Sequence, residues 1–217
     1  MPADLLAGLE PSPPAREGLG PGAVALRGWA LALVPALLSA VDQVAEAAPF
    51  RHMVTPGGFE MSVAMTNCGA AGWVTDRHGY RYAADDPMTG RPWPAMPGVL
   101  RDLAQAAAEE AGYPGFHPDA CLVNRYEPGA RLTLHQDRDE RDRGHPIVSV
   151  SLGLSATFQF GGLKRTDPVR RIPLAHGDVV VWGGPSRLFH HGILPLKDGA
   201  HPLLGARRLN LTLRRAL

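Results

Sequence analysis

After Gly112 the chain offers no long helical period. Short apolar or alternating runs recur instead at 121–124, 132–135, 147–152, 157–160, 169–173, 179–182, 188–193 and 209–213, divided by Gly, Pro and Asp. Runs of that length bounded by turn formers read as strands. Eight in series predict a double-sheet antiparallel barrel of jelly-roll type.

The first half is more mixed. Residues 1–22, with Pro2, Pro11, Pro13, Pro14, Pro21 and several Gly, read as a flexible lead-in. Ala23–Leu26 reads as a first strand. A helix is predicted from about Pro35 to Ala47, because Pro suits a first helical turn and Leu37, Leu38, Val41 and Val44 share a face. A second helix is predicted over Val99–Ala111, with Leu100, Leu103, Ala104 and Ala107 on its buried stripe. Between the helices, residues 55–93 read as loop-rich, punctuated by Gly57, Gly58, Gly69, Gly72 and Gly79. Trp73, Tyr80 and Tyr82 there are core or hairpin pairs by pattern alone, or the walls of a pocket.

At 217 residues the chain is one large domain or two small ones. A net charge of +1 argues against a strongly basic nucleic-acid binder while leaving room for a local basic patch. Cys68 and Cys121 lack C-x-x-C spacing and read as reduced thiols in a cytosol. The uncharged run 28–41 is too short to span a bilayer and continues into the helical pattern Asp42–Glu46, so no secretory signal is expected.

Three H-x-D pairs occur: His117-Pro118-Asp119, His135-Gln136-Asp137 and His176-Gly177-Asp178. The first reads as a loop, since Pro118 biases its neighbour to an extended shape. The third reads as the turn into the run at 179–182. Only His135 and Asp137 fall where strand alternation sends both side chains one way, with Cα atoms roughly 6–7 Å apart. One further His would complete the two-His-one-carboxylate facial triad that suits non-haem Fe(II). Either His190 or His191 could supply it, and alternation lets at most one face the same interior. In the last strand Arg208, Asn210, Thr212 and Arg214 share one face and three Leu the other. Facing outward, that polar row is a solvated edge. Facing inward, its two guanidinium groups need anions, and a dicarboxylic acid such as 2-oxoglutarate would satisfy both.

Longer strings narrow the reading. Met53–Gly58, Met61–Gly69, Trp93–Pro97, Phe158–Arg165 and His176–Gly184 resemble the AlkB family of Fe(II)/2-oxoglutarate dioxygenases, over about Gly22 to Arg214. The resemblance implies a mainly β fold with flanking α: a double-stranded β-helix (cupin-like jelly-roll) core at about 118–217, helices supporting one sheet, and a nucleotide-recognition lid at about 50–95. It implies one dioxygenase domain over 23–217. It makes His135, Asp137 and His191 the iron ligands, and Asn124, Tyr126, Arg208, Asn210 and Arg214 the 2-oxoglutarate pocket. Trp73, Tyr80, Arg81, Tyr82, Asp139 and Arg165 would line the damaged nucleotide, with Thr55, Pro56, Gly57, Gly58, Met61 and Ser62 in a strand-gripping hairpin. The chain departs from the family pattern at Phe59 and His190, each standing where Tyr is usual.

The implied activity is oxidative demethylation of N1-methyladenine and N3-methylcytosine. It uses Fe(II), 2-oxoglutarate and O2 and releases succinate, CO2 and formaldehyde. Expected partners are alkylated single- or double-stranded DNA, with RNA as a further candidate; a cytoplasmic monomer with no obligate protein partner and no membrane attachment is expected. Two other classes compete. An oxygenase of the same kind could act on a protein or small molecule, and a non-catalytic module could bind metal and dicarboxylate without turnover.

Overall fold

The structure, a computed structural model, describes residues 15–217. Residues 1–14 of the expected lead-in lie outside the described residues. In chain order the elements are β1 Arg16–Gly20, β2 Ala23–Leu26, α1 Val34–Ala47, β3 Arg51–Val54, β4 Glu60–Gly69, β5 Gly72–Asp76 and β6 Gly79–Ala83. They continue with α2 Gly98–Glu110, β7 Ala120–Tyr126, β8 Leu132–His135, β9 Ile147–Gly153 and β10 Ala156–Phe160. The last are β11 Arg170–Leu174, β12 Val179–Trp182, β13 His191–Ile193 and β14 Arg208–Arg214.

The strands form an eight-stranded sheet in the order β1-β2-β12-β9-β14-β7-β4-β3, a four-stranded sheet β11-β10-β13-β8, and the separate hairpin β5-β6. Every pairing is antiparallel. The described residues are therefore mainly β, with the two larger sheets in a jelly-roll arrangement and helices α1 and α2 beside the eight-stranded one.

Alternation along the central strands builds two cores, one on each face of the large sheet. Val148, Val150, Val179, Val181, Leu209, Leu211 and Leu213 point to the helices and meet Leu37, Val41, Val44, Leu100 and Leu103. Ile147, Val180 and Trp182 point the other way and meet Phe158, Phe160, Ile172, Leu174 and Ile193 of the small sheet. α1 keeps the predicted Pro in its first turn and buries Leu37, Val41 and Val44, while Leu38 sits half-buried at the edge. The apolar run 28–41 is thus a turn plus part of an amphipathic helix. Among the described residues no helix is long and apolar enough to cross a membrane.

Three local expectations are corrected. Arg16–Gly20 belong to a strand rather than to the lead-in: the Pro21-Gly22 turn, with Gly22 at φ +70°, folds them back on β2 from Arg16↔Leu26 onward and buries Leu19. Composition hides this, because backbone pairing carries it. The stretch 55–93 contains three strands, including the ten-residue β4. Val63 to Cys68 are buried on both faces, so no period-two signal survives. Its polar members are paired instead: the Thr66 hydroxyl donates to Ala48 O at 2.6 Å, and the Asn67 amide holds both backbone groups of Trp73 at 3.0 Å. Finally, the strand expected over 188–193 begins only at His191, because a tight turn over Gly184–Ser186 precedes it.

If α1 braces the large sheet through this stripe, Leu37→Ala should lower stability by about 2–5 kcal/mol. Leu38→Ala should cost far less. Thermal melts check this at about 2–4 °C per kcal/mol; equal losses would contradict the assigned face.

Candidate active site

β8 and β13 are neighbours, and their register sets His191 directly opposite His135. Their ring centroids lie 4.5 Å apart. β8 ends at His135, and the chain then turns so that Asp137 sits between the two imidazoles. Asp137 Oδ1 is 3.6 Å from His135 Nε2, and Oδ2 is 3.6 Å from His191 Nε2. One ligand atom from each of the three residues lies within 4.8 Å of the others.

The rings are held in a metal-ready tautomer. His135 Nδ1 donates to Thr133 O at 2.8 Å, and His191 Nδ1 donates to Phe189 O at 3.0 Å. A carbonyl can only accept, so Nδ1 of each ring carries a proton and each Nε2 is turned to the carboxylate. Although 39% of the His135 side chain is open, it opens onto the cavity. Enclosure by the barrel and the neighbouring His191 push its pKa down to about 4. Burial alone would raise the Asp137 carboxyl, but Arg214, then His191, hold it well below the usual range. Two imidazole nitrogens and one carboxylate oxygen converging from one side match the donor set of non-haem Fe(II).

β14 turns its polar row inward, as the dicarboxylate reading requires. Arg208 is 1% exposed and makes one hydrogen bond, from Nη2 to Ser151 Oγ at 3.0 Å. Its carbon Cζ stands 4.9 Å from the Tyr126 ring centroid. Among the described residues Arg208 Nε and Nη1 have no partner, and neither has Asn124 Oδ1. A buried guanidinium with two free donors is costly unless an anion completes it, and the same burial lowers its pKa. Asn210 donates from Nδ2 to Ser149 Oγ and Val150 O, and accepts at Oδ1 from Thr212 and Asn124. Tyr126 is fully enclosed, and burial raises its phenol to about 12. Arg214 is already engaged: it donates from Nε and Nη2 to Asp137 Oδ2 at 3.1 and 2.6 Å.

These groups line one cavity of about 580 Å³. Its outer wall carries Trp73 and Tyr80, stacked at 5.7 Å with 19° between the rings. Trp73 Nε1 donates to Asp139 Oδ2 at 2.8 Å. Arg165 lies at the same mouth and donates to Leu134 O at 2.5 Å. Thr55 and Met61 reach the wall from the base of the β3–β4 hairpin. Its tip is shaped by Thr55, which accepts from Gly58 N–H at O and from Phe59 N–H at Oγ1, and by Gly58 at φ +82°.

Other expected site residues stand apart from the cavity wall. Pro56, Gly57 and Gly58 form the hairpin tip, and Ser62 is tied to the Arg131 backbone. Arg81 pairs with Asp76 at 2.7 Å, bracing the β5–β6 hairpin. Tyr82 turns behind the cavity, where its hydroxyl donates to Glu140 Oε1 at 3.0 Å. His190 touches the cavity and lies 3.2 Å from Gly162 O. Sequence reading missed Glu140 and Arg187, both buried, whose charged groups pair at 3.1 Å behind Asp137.

Comparison with known proteins adds a third line. The sequence pattern of the 2OG-Fe(II) oxygenase superfamily matches residues 22–214. The "Alpha-ketoglutarate-dependent dioxygenase AlkB" of Escherichia coli is 61% identical over 213 residues, covering 98% of this chain and 97% of that protein. "Nucleic acid dioxygenase ALKBH1" of Mus musculus is 36% identical over 131 residues, covering 58% of this chain and 33% of that protein. Among solved structures, that of OsALKBH1 superposes with a TM-score of 0.81 at 28% identity, covering 93% of this chain and all of that one.

The geometry makes one demand on Gly192. A Cβ there would lie 2.7 Å from Leu132 O and 3.1 Å from Thr133 C, both backbone atoms of β8. Gly192→Ala should wedge β13 from β8, spread the two imidazoles and weaken Mn(II) binding about tenfold or more, the scale on which misplaced ligands act. Calorimetric titration checks this; unchanged affinity would show that the β8–β13 spacing does not set the cluster.

Proposed function

The chain belongs to the 2OG-Fe(II) oxygenase superfamily, and from that premise we propose that it reverses nucleic-acid alkylation by oxidative demethylation of N1-methyladenine and N3-methylcytosine. The observation that carries the reading is the meeting, in one cavity, of three groups. They are the His135–Asp137–His191 cluster, the buried guanidinium of Arg208 with Nε and Nη1 unpaired among the described residues, and an indole tied to a carboxylate at the mouth.

His135, Asp137 and His191 would hold the iron through their converging atoms. Iron bound there, with 2-oxoglutarate and O2, supplies the oxidation that hydroxylates the N-methyl carbon while 2-oxoglutarate becomes succinate and CO2. Arg208 takes the far carboxylate of 2-oxoglutarate, its buried charge completed by an anion that accepts from the free Nη1. Asn124, Tyr126 and Asn210 wall that end, and Arg214 holds the Asp137 carboxylate charged and in place.

A base alkylated at N1 or N3 is cationic and has lost its pairing edge, so extruding it costs less than for an intact base. Trp73 and Tyr80 offer it an aromatic wall, with dispersion and cation–π attraction. Asp139 sets a negative charge beside that cation, which favours damaged over neutral bases. Arg165 and Arg138 stand at the mouth to meet phosphates. The Thr55–Ser62 hairpin grips the strand, while Arg81 and Tyr82 brace its neighbour. The hydroxymethyl product is a hemiaminal; its N–C bond breaks as the hydroxyl proton leaves, giving formaldehyde and the restored base.

In this reading residues 23–217 act as one domain, with 50–95 as the lid, on single- or double-stranded DNA and on RNA. The protein works as a cytoplasmic monomer. Cys68 and Cys121 face each other in register on β4 and β7.

Mass spectrometry of a short strand carrying one 1-methyladenine, with Fe(II) and air, tests the reading. Loss of one methyl mass only when 2-oxoglutarate is added is expected. Steady conversion of 2-oxoglutarate with an unchanged strand would overturn the nucleic-acid assignment. Asp137→Ala should abolish turnover. Arg208→Lys should raise KM for 2-oxoglutarate about 10–100-fold, the worth of one lost charge-assisted pair; an unchanged KM would remove Arg208 from the co-substrate site.

A further inference from the structure

The segment His135–Glu140 serves two masters. Its first half supplies two members of the metal cluster, and its second half supplies two anchors for the β5–β6 hairpin. Trp73 on β5 donates to Asp139, and Tyr82 on β6, its register partner, donates to Glu140. The side of the hairpin that carries Trp73 and Tyr80 into the cavity is therefore tethered within three residues of Asp137.

Behind Asp137 four charged groups alternate in sign. Arg214 lies between two carboxylates: its Nε is 3.1 Å from Asp137 Oδ2 and 3.3 Å from Glu140 Oε1. Glu140 Oε2 is 3.1 Å from Arg187 Nη2. Arg187 in turn donates from Nη1 to Asp137 O at 2.7 Å and from Nε to His145 O at 2.9 Å. All four side chains are at least nine-tenths buried, so their attractions are little screened by solvent. Tyr82 is the one neutral member, and burial raises its phenol well above the usual value, which keeps it a donor.

A guanidinium shared by two carboxylates leans toward whichever has more charge to offer. Drawing the Asp137 carboxylate toward a cation leaves it less to give Arg214, which then bears more on Glu140. A firmly held Glu140 fixes the Tyr82 hydroxyl and so the hairpin. A hairpin fixed beforehand binds a base with less ordering entropy to lose.

We infer that Glu140 is a positioning residue that links Asp137 to the β5–β6 hairpin through Arg214 and Tyr82, so that metal with 2-oxoglutarate and the methylated nucleotide bind with positive cooperativity. This rests on the nucleic-acid reading above. Thermodynamic linkage makes the effect reciprocal: whichever ligand arrives first tightens the other by the same factor.

The test is a ratio. The affinity of a fluorescein-labelled single strand carrying one 1-methyladenine is measured by anisotropy, with and without Mn(II) plus 2-oxoglutarate, under argon. The full chain should bind at least about fivefold tighter with both present, the lower end of ordinary coupling. In Tyr82→Phe, which keeps the ring and removes the donor, the ratio should fall to within about twofold of one. Glu140→Gln should do the same. A general loss of affinity cancels in the ratio, whereas loss of the link does not, so a merely structural role leaves the ratio alone. Two variants guard against misfolding of either, checked by circular dichroism melts. A cooperative unsubstituted protein with an equally cooperative Tyr82→Phe or Glu140→Gln would overturn the link and leave the repair reading intact. An unsubstituted protein that binds no methylated strand at all would overturn both.

Discussion

Arg214 on Asp137 is the contact from which the rest of the site follows. A carboxylate enclosed between two imidazoles would take up a proton to escape the loss of water. The guanidinium at 2.6 Å prevents that and holds the charge where a cation can use it. Arg214 can be there only because β14 runs through the middle of the large sheet, between β9 and β7. The same strand sends Leu209, Leu211 and Leu213 to the helices. Fold and site are thus two faces of seven residues, and the helices matter to the chemistry because they seat the apolar face.

Burying two arginines on one strand is expensive, and the protein compensates them differently. Arg214 has permanent partners in Asp137 and Glu140. Among the described residues Arg208 has only the Ser151 hydroxyl and the face of Tyr126. A group left so incomplete is the mark of a ligand site rather than of a stability device. The contrast separates the two roles: one arginine belongs to the protein's own charge balance, and the other waits for an anion.

Much of this was legible in residue order, and the exceptions have physical causes. The β14 alternation is local and period-two, so it survives in the sequence, whereas the His135/Asp137 pair is found by its spacing and not by strand alternation, since β8 ends at His135; whether the polar face looked inward was a tertiary matter that no local pattern could decide. The choice of His191 over His190 depended on cross-strand register with His135, which family resemblance supplied and the fold explains. Glu140 and Arg187 were invisible. Glu140 lies in the wholly charged run Asp137–Arg143, which carries no signal of burial, and only its place beneath β6 reveals it as a buried partner. β4 was lost for the opposite reason: an inner strand covered on both sides carries no alternation to read.

The most direct test of the account is anomalous diffraction from crystals grown with Mn(II) and 2-oxoglutarate under argon. A single strong peak bounded by His135 Nε2, Asp137 and His191 Nε2, with the far carboxylate of 2-oxoglutarate on the Arg208 guanidinium, is the predicted result. A metal peak elsewhere, or 2-oxoglutarate ordered away from Arg208, would contradict the claim that one buried charge arrangement builds both halves of the site.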